Sequence, residues 1–307
     1  MPELSIVIPV YNEQANIQLL CEKLMAVSQK LAIKTEYIFV NDGSIDSSIV
    51  LIKQLALTNN QVKYIDFSRN FGHQIAVTAG LNYSGGKAVV IIDADLQDPP
   101  EIIIDLFTKY KEGYEVVCAK RKNRNEETFF KKFTAKTFYR ILKKITSINI
   151  PIDTGDFRII DRKVVELLKQ MPEQHKFLRG QISWIGFNQT SIEYDRQERH
   201  GGKTAYTYKK MIRFAIDGIT SFSNFPLKFV TFAGFLVSGI SFLLMLYALY
   251  SRLILKHFAL GWTSLMLSIL FIGGIQLIGI GIIGEYISRM GDNIRNRPLY
   301  IVKETNM

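Results

Sequence analysis

The chain has 307 residues, of which 48% are apolar and 21% are charged, and its 38 Lys and Arg against 28 Asp and Glu give a net charge of +10. This apolar fraction excludes an intrinsically disordered chain, which combines low hydrophobicity with high net charge. The two cysteines, Cys21 and Cys118, exclude a disulfide scaffold, and we expect both to be ordinary buried thiols. The basic balance favours an anionic partner: nucleic acid, lipid headgroups or a phosphorylated substrate.

Short apolar runs alternate with amphipathic segments over the first 120 residues. Strands are predicted at residues 4–10, 37–40 and 88–92, with segments of helical spacing between them. Such alternation indicates a doubly wound α/β domain with a mostly parallel sheet. Because the ligands of these sheets bind at the carboxyl ends of the strands, the residues that follow each strand are the candidates for a functional site.

Carboxylates follow two of the predicted strands. Asp42 follows residues 37–40 within Asn-Asp-Gly-Ser, and Asp93 and Asp95 follow residues 88–92. Two carboxylates one residue apart are able to share a hard divalent cation, which prefers oxygen ligands and bridges substrate phosphates. Each motif alone is weak evidence, since Asn-Asp-Gly-Ser is also an ordinary turn sequence. Together, at strand ends of one sheet, they favour a site for a metal and a phosphorylated substrate.

Two uncharged stretches, 229–250 and 258–284, each reach the roughly 20 residues that a membrane-crossing helix needs. Basic residues precede the first stretch and follow the second, while the short loop between them carries Arg252 and Lys256. The positive-inside rule then predicts both flanks, and hence the N-terminal domain and both termini, in the cytoplasm. No signal-peptide pattern is visible at the start of the sequence. We therefore expect a multi-pass protein of the cytoplasmic membrane.

The predicted organisation has four parts: an α/β domain over 1–205, an amphipathic juxtamembrane segment over 206–226, two transmembrane helices within 227–286 (about 229–250 and 260–284), and a cytoplasmic tail over 287–307. Within the first part, residues 120–144 mix basic and aromatic side chains. This mixture fits a helix on an anionic bilayer surface, with a solvated charged face as the alternative. No nucleic-acid motif accompanies the charge, so we expect no nucleic-acid partner.

Several motifs in this order carry a resemblance to a known family. They are Ile-Val-Ile-Pro-Val-Tyr-Asn-Glu at 6–13, Asn-Asp-Gly-Ser-Ile-Asp at 41–46 and Asp-Ala-Asp-Leu-Gln-Asp-Pro-Pro at 93–100. The set resembles family 2 glycosyltransferases with the GT-A fold. Three further features resemble, more narrowly, the polyprenyl-phosphate glycosyltransferases, including bactoprenol glucosyltransferases and dolichol-phosphate mannose synthases. They are Thr-Gly-Asp-Phe-Arg at 154–158, Arg-x-x-Arg-x-x-Gly-Lys-Thr at 196–204 and the two apolar stretches. The Gln-x-x-Arg-Trp signature of processive polysaccharide synthases is absent.

The resemblance implies a role for each motif residue. Asp95 would bind Mg²⁺ or Mn²⁺, and Asp93 would contact both the metal and the nucleotide-sugar. The pocket for the nucleotide base and ribose would be lined by Pro9, Tyr11, Glu13 and Asp42. The phosphates of donor or acceptor would be held by Arg196, Arg199 and Lys203. Asp98, which precedes two prolines, is interpreted as the cap of the next helix.

Asp156 would be the catalytic base by this resemblance, with Arg158 either positioning it or forming a structural salt bridge. The chemistry of the acceptor argues for a different role. A phosphate monoester has a second pKa near 6, so a polyprenyl phosphate is mostly dianionic at neutral pH and scarcely needs deprotonation. Orientation of the acceptor, or support of the metal, therefore remain open roles for Asp156. The scattered histidines, His73 among them, are interpreted as structural.

The resemblance implies an inverting, metal-dependent transfer of one sugar from a nucleotide-sugar to polyprenyl (undecaprenyl) phosphate at the cytoplasmic membrane face. UDP-glucose is the first donor expected, with GDP-mannose and UDP-linked amino sugars as alternatives, and a homo-oligomer, a tetramer by resemblance, is also implied. One rival is a non-catalytic, membrane-anchored nucleotide-sugar-binding scaffold, which the retained carboxylates disfavour. A transporter component is disfavoured because neither span contains a charged residue.

Overall fold

The computed structural model of the chain describes residues 1–122, 154–195, 223–250 and 261–307. Its strands are β1 (Leu4–Val10), β2 (Thr35–Asn41), β3 (Val62–Phe67), β4 (Ala88–Ile91), β5 (Val116–Arg121), β6 (Thr154–Asp161), β7 (Gln189–Tyr194) and β8 (Val302–Thr305). Its helices are α1 (Ile17–Leu31), α2 (Ser48–Thr58), α3 (His73–Tyr83), α4 (Ile102–Lys111), α5 (Arg162–Gln170), α6 (Leu178–Ile185), α7 (Phe225–Tyr250) and α8 (Trp262–Arg295).

The strands form one mixed sheet in the order β7-β5-β6-β4-β1-β2-β3-β8. Its centre, from β4 through β1 and β2 to β3, is parallel. Every residue of β1 is buried, because alternate side chains enter two different cores. Ile6 packs in the core that contains the buried face of α1, and Val7 packs in the core that contains α3. The predicted α/β domain with a mostly parallel sheet is confirmed for this part of the chain.

Strand β6 departs from the parallel pattern, and this departure shapes the site. It pairs antiparallel with β4, with Ile91 opposite Arg158. The first residues of β6 therefore lie beside the carboxyl end of β4. Since Asp93 follows β4 closely, the pairing brings Asp156 to the same edge of the sheet as Asp93.

Helices α7 and α8 are, by length and composition, long and apolar enough to cross a membrane. Their apolar side chains are largely exposed to the surroundings, for example Phe235 at 76% and Leu277 at 71%. Helix α8 extends beyond the predicted end of the second span, to Arg295. Its last turns are polar and contact the domain, where His175 Nε2 lies 3.1 Å from Asp292 Oδ2.

The last strand, β8, lies where the sequence predicts only a tail over 287–307. It pairs antiparallel with β3 at the edge of the sheet. Tyr300, just before it, stacks on Phe67 with ring centroids 5.1 Å apart. A strand of four residues gives little periodic signal, and the hydrogen bond between Tyr64 and Glu304 joins positions 240 residues apart in the chain. Such a long-range pairing leaves no local pattern in the sequence.

Both cysteines are free and buried, as expected from their number and spacing. Burial raises the pKa of the Cys21 thiol to about 11, so very little thiolate is present at pH 8. We predict that the native protein reacts with a thiol reagent such as DTNB much more slowly than the denatured protein, in which both thiols should titrate. Rapid reaction of two thiols in the native protein would contradict this burial.

Candidate active site

The carboxyl ends of β1, β2 and β4 meet at one edge of the sheet, as parallel strands require. Tyr11 follows β1, Asp42 follows β2, and Asp93 and Asp95 come shortly after β4. The first residue of α3, His73, lies at the same edge. The carboxylates that follow the predicted strands therefore share one edge of the sheet, as the strand-end rule requires, and their role in a functional site remains a prediction.

A cluster of carboxylates and cations forms the centre of the site. His73 Nε2 lies 3.2 Å from Asp156 Oδ2 and 3.6 Å from Asp93 Oδ1, so its ring joins the two acidic residues. Arg179 Nε donates to Asp156 Oδ1 at 2.7 Å, and Gln74 Nε2 donates to Asp156 Oδ2 at 3.1 Å. Asp156 is thus held by side chains from α3 and α6, with both carboxylate oxygens engaged.

These contacts determine the protonation of the cluster. Although burial alone would raise it, Arg179 and His73 hold the pKa of Asp156 well below its usual range. Desolvation of His73 is outweighed by Asp93 and Asp156, which raise the pKa of His73 to about 9. Asp156 is therefore a fixed anion beside fixed cations, and a carboxylate of such low pKa is a weak proton acceptor.

The pKa of Asp93 shifts in the opposite direction to that of Asp156. Desolvation, with a smaller effect from the neighbouring carboxylates, raises the pKa of Asp93 to about 6 against the opposing influence of His73. Its Oδ1 is buried, and among the described residues no hydrogen-bond donor reaches it. Asp95 Oδ1 accepts from the backbone N–H of Gln97 at 3.1 Å, which fixes the turn after β4. A cation beside Asp93 would satisfy the buried oxygen and lower the pKa.

The described residues contain no group of three or more His, Cys, Asp or Glu side chains arranged to hold a metal ion. Asp93 and Asp95 nevertheless fit one class of cation. Mg²⁺ and similar ions are commonly held by one or two carboxylates and complete their shell with water and substrate phosphates. The observation that favours such a cation is the buried Oδ1 of Asp93, which receives no hydrogen bond among the described residues and has His73 Nε2 at 3.6 Å as its ion-pair neighbour.

Asp42 has a structural function that the sequence did not reveal. Its Oδ1 accepts from the backbone N–H of Phe71 at 2.7 Å, and its Oδ2 accepts from that of Gly72 at 3.0 Å. Burial raises the pKa of Asp42, and these two hydrogen bonds oppose the rise. The carboxylate therefore orders the loop between β3 and α3. Contact of Asp42 with a nucleotide remains a prediction.

A cavity of about 450 Å³ lies at the carboxyl ends of β2 and β3. Tyr11 lines it and is 47% exposed, and contact of Tyr11 with a nucleotide remains a prediction. The other residues predicted to share that pocket do not line this cavity: Pro9 is buried in β1, and Glu13 Oε2 accepts from Asn16 Nδ2 at 2.6 Å before α1. The lining includes polar side chains at Asn41, Asp66, Arg69 and Lys303.

Comparison with known proteins decides the family of this chain. A family model described as "Glycosyl transferase family 2" matches residues 5–168, which contain the whole carboxylate cluster. The chain belongs to glycosyltransferase family 2. It is therefore a glycosyltransferase, as the resemblance implied.

Relatives of this glycosyltransferase align over nearly its whole length. YkcC of Bacillus subtilis, named as an uncharacterized glycosyltransferase, is 52% identical over 98% of this chain and 93% of its own. The SfII prophage-derived bactoprenol glucosyl transferase of Shigella flexneri is 40% identical over 99% of this chain and 98% of its own. Among solved structures, glucosyl-3-phosphoglycerate synthase of Mycobacterium tuberculosis, with Mn²⁺, UDP and phosphoglyceric acid, matches 71% of this chain and 76% of its own with a TM-score of 0.47 and 14% identity.

The remaining predicted site residues of the glycosyltransferase fall into two groups. Arg158 is buried, and its guanidinium donates to the Gly155 carbonyl at 2.7 Å, 3.9 Å from Asp156 Oδ1. It thus supports the backbone that carries Asp156. Three predicted phosphate-binding residues lie outside the described residues: Arg196, Arg199 and Lys203. Their roles stay predictions.

The sequence of the glycosyltransferase gives no motif for His73, Gln74 or Arg179, which hold Asp156, and the predicted helix cap at Asp98 is wrong. His73 was taken as structural although it follows β3 closely, where the strand-end rule could have found it. Arg179 lies in the first turn of α6, in a region without a motif. Helix α4 begins at Ile102, too far from Asp98 for a cap, and buried Asp98 instead accepts a hydrogen bond from the Tyr194 hydroxyl.

Proposed function

We propose that this glycosyltransferase moves a single sugar, with inversion, from a UDP-sugar to a polyprenyl phosphate at the cytoplasmic face of the membrane. The observation that carries the proposal is the coexistence, in one chain, of the Asp93–Asp95–Asp156 cluster and two long helices with exposed apolar side chains. Glucose is the first sugar expected, because 40%-identical relatives over nearly the whole chain bear the name bactoprenol glucosyl transferase. GDP-mannose and UDP-linked amino sugars are the alternatives to be tested.

The two acidic residues after β4 would hold a divalent cation, Mg²⁺ or Mn²⁺, together with the donor diphosphate. A cation there supplies charge neutralisation for the departing diphosphate. The chain itself adds two further positive groups, His73 and Arg179, both fixed on Asp156. These cations are preorganised close to where negative charge gathers, so they need no rearrangement during the reaction.

Asp156 supports the reaction, in this proposal, as an orienting anion. Both of its oxygens already accept hydrogen bonds, and its lowered pKa makes it a poor base. A dianionic phosphate acceptor needs little deprotonation. Asp156 would therefore fix Arg179 and His73, which in turn bind the anionic substrates.

The sheet topology supports a location of both ends of the helix pair on the same side of the membrane. Strand β3 precedes α7, whereas β8 follows α8, and the two strands pair with each other. Two membrane crossings return the chain to its starting side, which is what this pairing needs. The basic flanks of the two spans favour the cytoplasm as that side. Contact of residues 120–144 with anionic lipids, and a homo-oligomer, remain predictions.

A sugar-transfer assay tests the proposal. Purified protein and undecaprenyl phosphate would be incubated with radiolabelled UDP- and GDP-sugars, with and without Mg²⁺ or Mn²⁺. We expect metal-dependent labelling of the lipid from one donor, and Asp95→Ala should reduce it by at least about 100-fold. Asp105→Asn, in the first turn of α4, is the matched control and should retain activity. Nucleotide binding without transfer from any donor would favour the scaffold alternative.

A further inference from the structure

The cavity at the ends of β2 and β3 has a wall that comes from the far end of the chain. Its lining includes Tyr11, Asn41, Asp66 and Arg69 from the family 2 region, and Lys303 from β8. Lys303 thus follows both apolar helices in the chain yet faces the same space as the motif residue Tyr11. Neither the family motifs nor the strand-end rule points to it.

Several contacts fix the segment that carries Lys303. The Ser68 N–H donates to the Ile301 carbonyl at 3.0 Å, and the Tyr64 hydroxyl donates to Glu304 Oε1 at 2.7 Å. Beyond them, the Tyr64 N–H donates to Asn306 Oδ1 at 2.8 Å. Lys303 lies between these anchors, so its place beside the cavity is set by the sheet.

The polar groups of the cavity have unused hydrogen-bonding capacity. In the part of the chain that the structure describes, the Lys303 ammonium forms no ion pair and no hydrogen bond. Asp66 is 5% exposed, and among the described residues its carboxylate receives one side-chain hydrogen bond, from Asn41 Nδ2 to Oδ1 at 2.7 Å. The cavity therefore offers one carboxylate acceptor and two cationic donors, Lys303 and Arg69.

One carboxylate acceptor and two cationic donors match the hydrogen-bonding edge of uracil better than that of guanine. The polar edge of uracil presents an N–H donor between two carbonyl acceptors, whereas the corresponding edge of guanine presents one carbonyl and two N–H donors. A site built to hydrogen-bond one pattern discriminates strongly against the other, because its own polar groups would be left unpaired. Tyr11 adds an exposed aromatic ring that suits a planar base.

We propose that Lys303 is a donor-binding residue: with Arg69 it donates to the uracil carbonyls, while Asp66 accepts from the N–H between them. This inference rests on the proposed function, since it assumes a UDP-sugar donor. It goes beyond that function by making the strand after the second apolar helix a part of the nucleotide site and a determinant of base specificity.

Calorimetric titration of the full-length protein with UDP and with GDP, in the presence of Mn²⁺, tests the inference. Lys303→Ala should weaken UDP binding about tenfold, which is the loss of one charge-assisted hydrogen bond, with an unchanged melting temperature. Lys63→Ala, on β3 and outside the cavity lining, should bind UDP like the wild type. UDP methylated at N3 should bind at least tenfold more weakly than UDP, because it lacks the N–H for Asp66.

The outcomes separate this inference from the proposed function. If the wild type binds UDP and Lys303→Ala binds it equally well, Lys303 has no part in donor binding, while a UDP-sugar donor stands. Equal binding of UDP and its N3-methyl derivative would overturn the role of Asp66. If the wild type prefers GDP, the UDP-sugar donor itself is wrong and the inference falls with it.

Discussion

Replacing Asp156 by Asn is expected to reduce the rate of sugar transfer by about 10²–10³-fold, which is the usual cost of removing one preorganised charged group from an active site. The variant should remain folded, because Asn keeps an oxygen acceptor for Arg179 and a similar volume. What it loses is the charge that holds Arg179 and His73 in place. The measurement is the initial rate of lipid labelling, with thermal unfolding to verify the fold.

The variant Arg179→Ala distinguishes a role of Asp156 in orienting other groups from a role as general base. Loss of the guanidinium would let the pKa of Asp156 rise, which would improve a base. If Asp156 acts by orienting Arg179, the Arg179 variant should instead lose activity, and the double variant should be little worse than Asp156→Asn alone. Asp161→Asn is a matched control on the same strand, since Asn also caps α5. Full activity of Arg179→Ala would contradict the orienting role.

Gly43→Ala is expected to destabilise the protein by about 2–4 kcal/mol, the sum of left-handed backbone strain and overpacking. Gly43 has φ +64°, and a Cβ built on it would lie 2.4 Å from the Arg69 carbonyl carbon and 2.5 Å from the Asn70 backbone nitrogen. Backbone atoms cannot move aside as a flexible side chain does. The loop ordered by Asp42 must therefore shift, so the melting temperature and UDP binding should both fall.

Gly186→Ala separates the two contributions. Gly186 also has a positive φ, +77°, but the nearest atom to a Cβ there is the Trp184 carbonyl oxygen at 3.8 Å. This variant should lose only the conformational part, about 1 kcal/mol. Equal melting temperatures for the two variants would show that the close contact of Gly43 with the Arg69–Asn70 backbone does not add to the destabilisation.

The part of the fold that could be predicted is the part that local sequence determines. Buried parallel strands read as continuous apolar runs, so β1, β2 and β4 were visible, and with them the carboxylates Asp42 and Asp93 at their ends. Helices α7 and α8 were also predictable from local sequence, because each contains a long uncharged apolar stretch. In these elements the type of each residue reflects its local environment.

The rest of the site depends on pairings between distant segments. Helix α6 packs in the core on one face of the sheet through Leu178 and Ile182, and this packing brings Arg179 to Asp156. Strand β6, which carries Asp156, is placed by its antiparallel pairing with β4, and neither contact has a local sequence signature. Lys303 enters the cavity only through the pairing of β8 with β3. Asp98 was misread because the Asp-Pro-Pro pattern is common to helix starts, whereas its partner here is Tyr194, 96 residues further along.

The pairing of β8 with β3 also sets an order of events during synthesis. Residues 302–305 are made after both apolar helices, so β3 remains an open edge while the ribosome completes them. The edge of β3 is covered, and Lys303 joins the lining of the cavity, only after residues 302–305 have been made. A chain that ends before residue 302 would keep Asp93, Asp95 and Asp156 but would lack β8 and its contribution to the cavity.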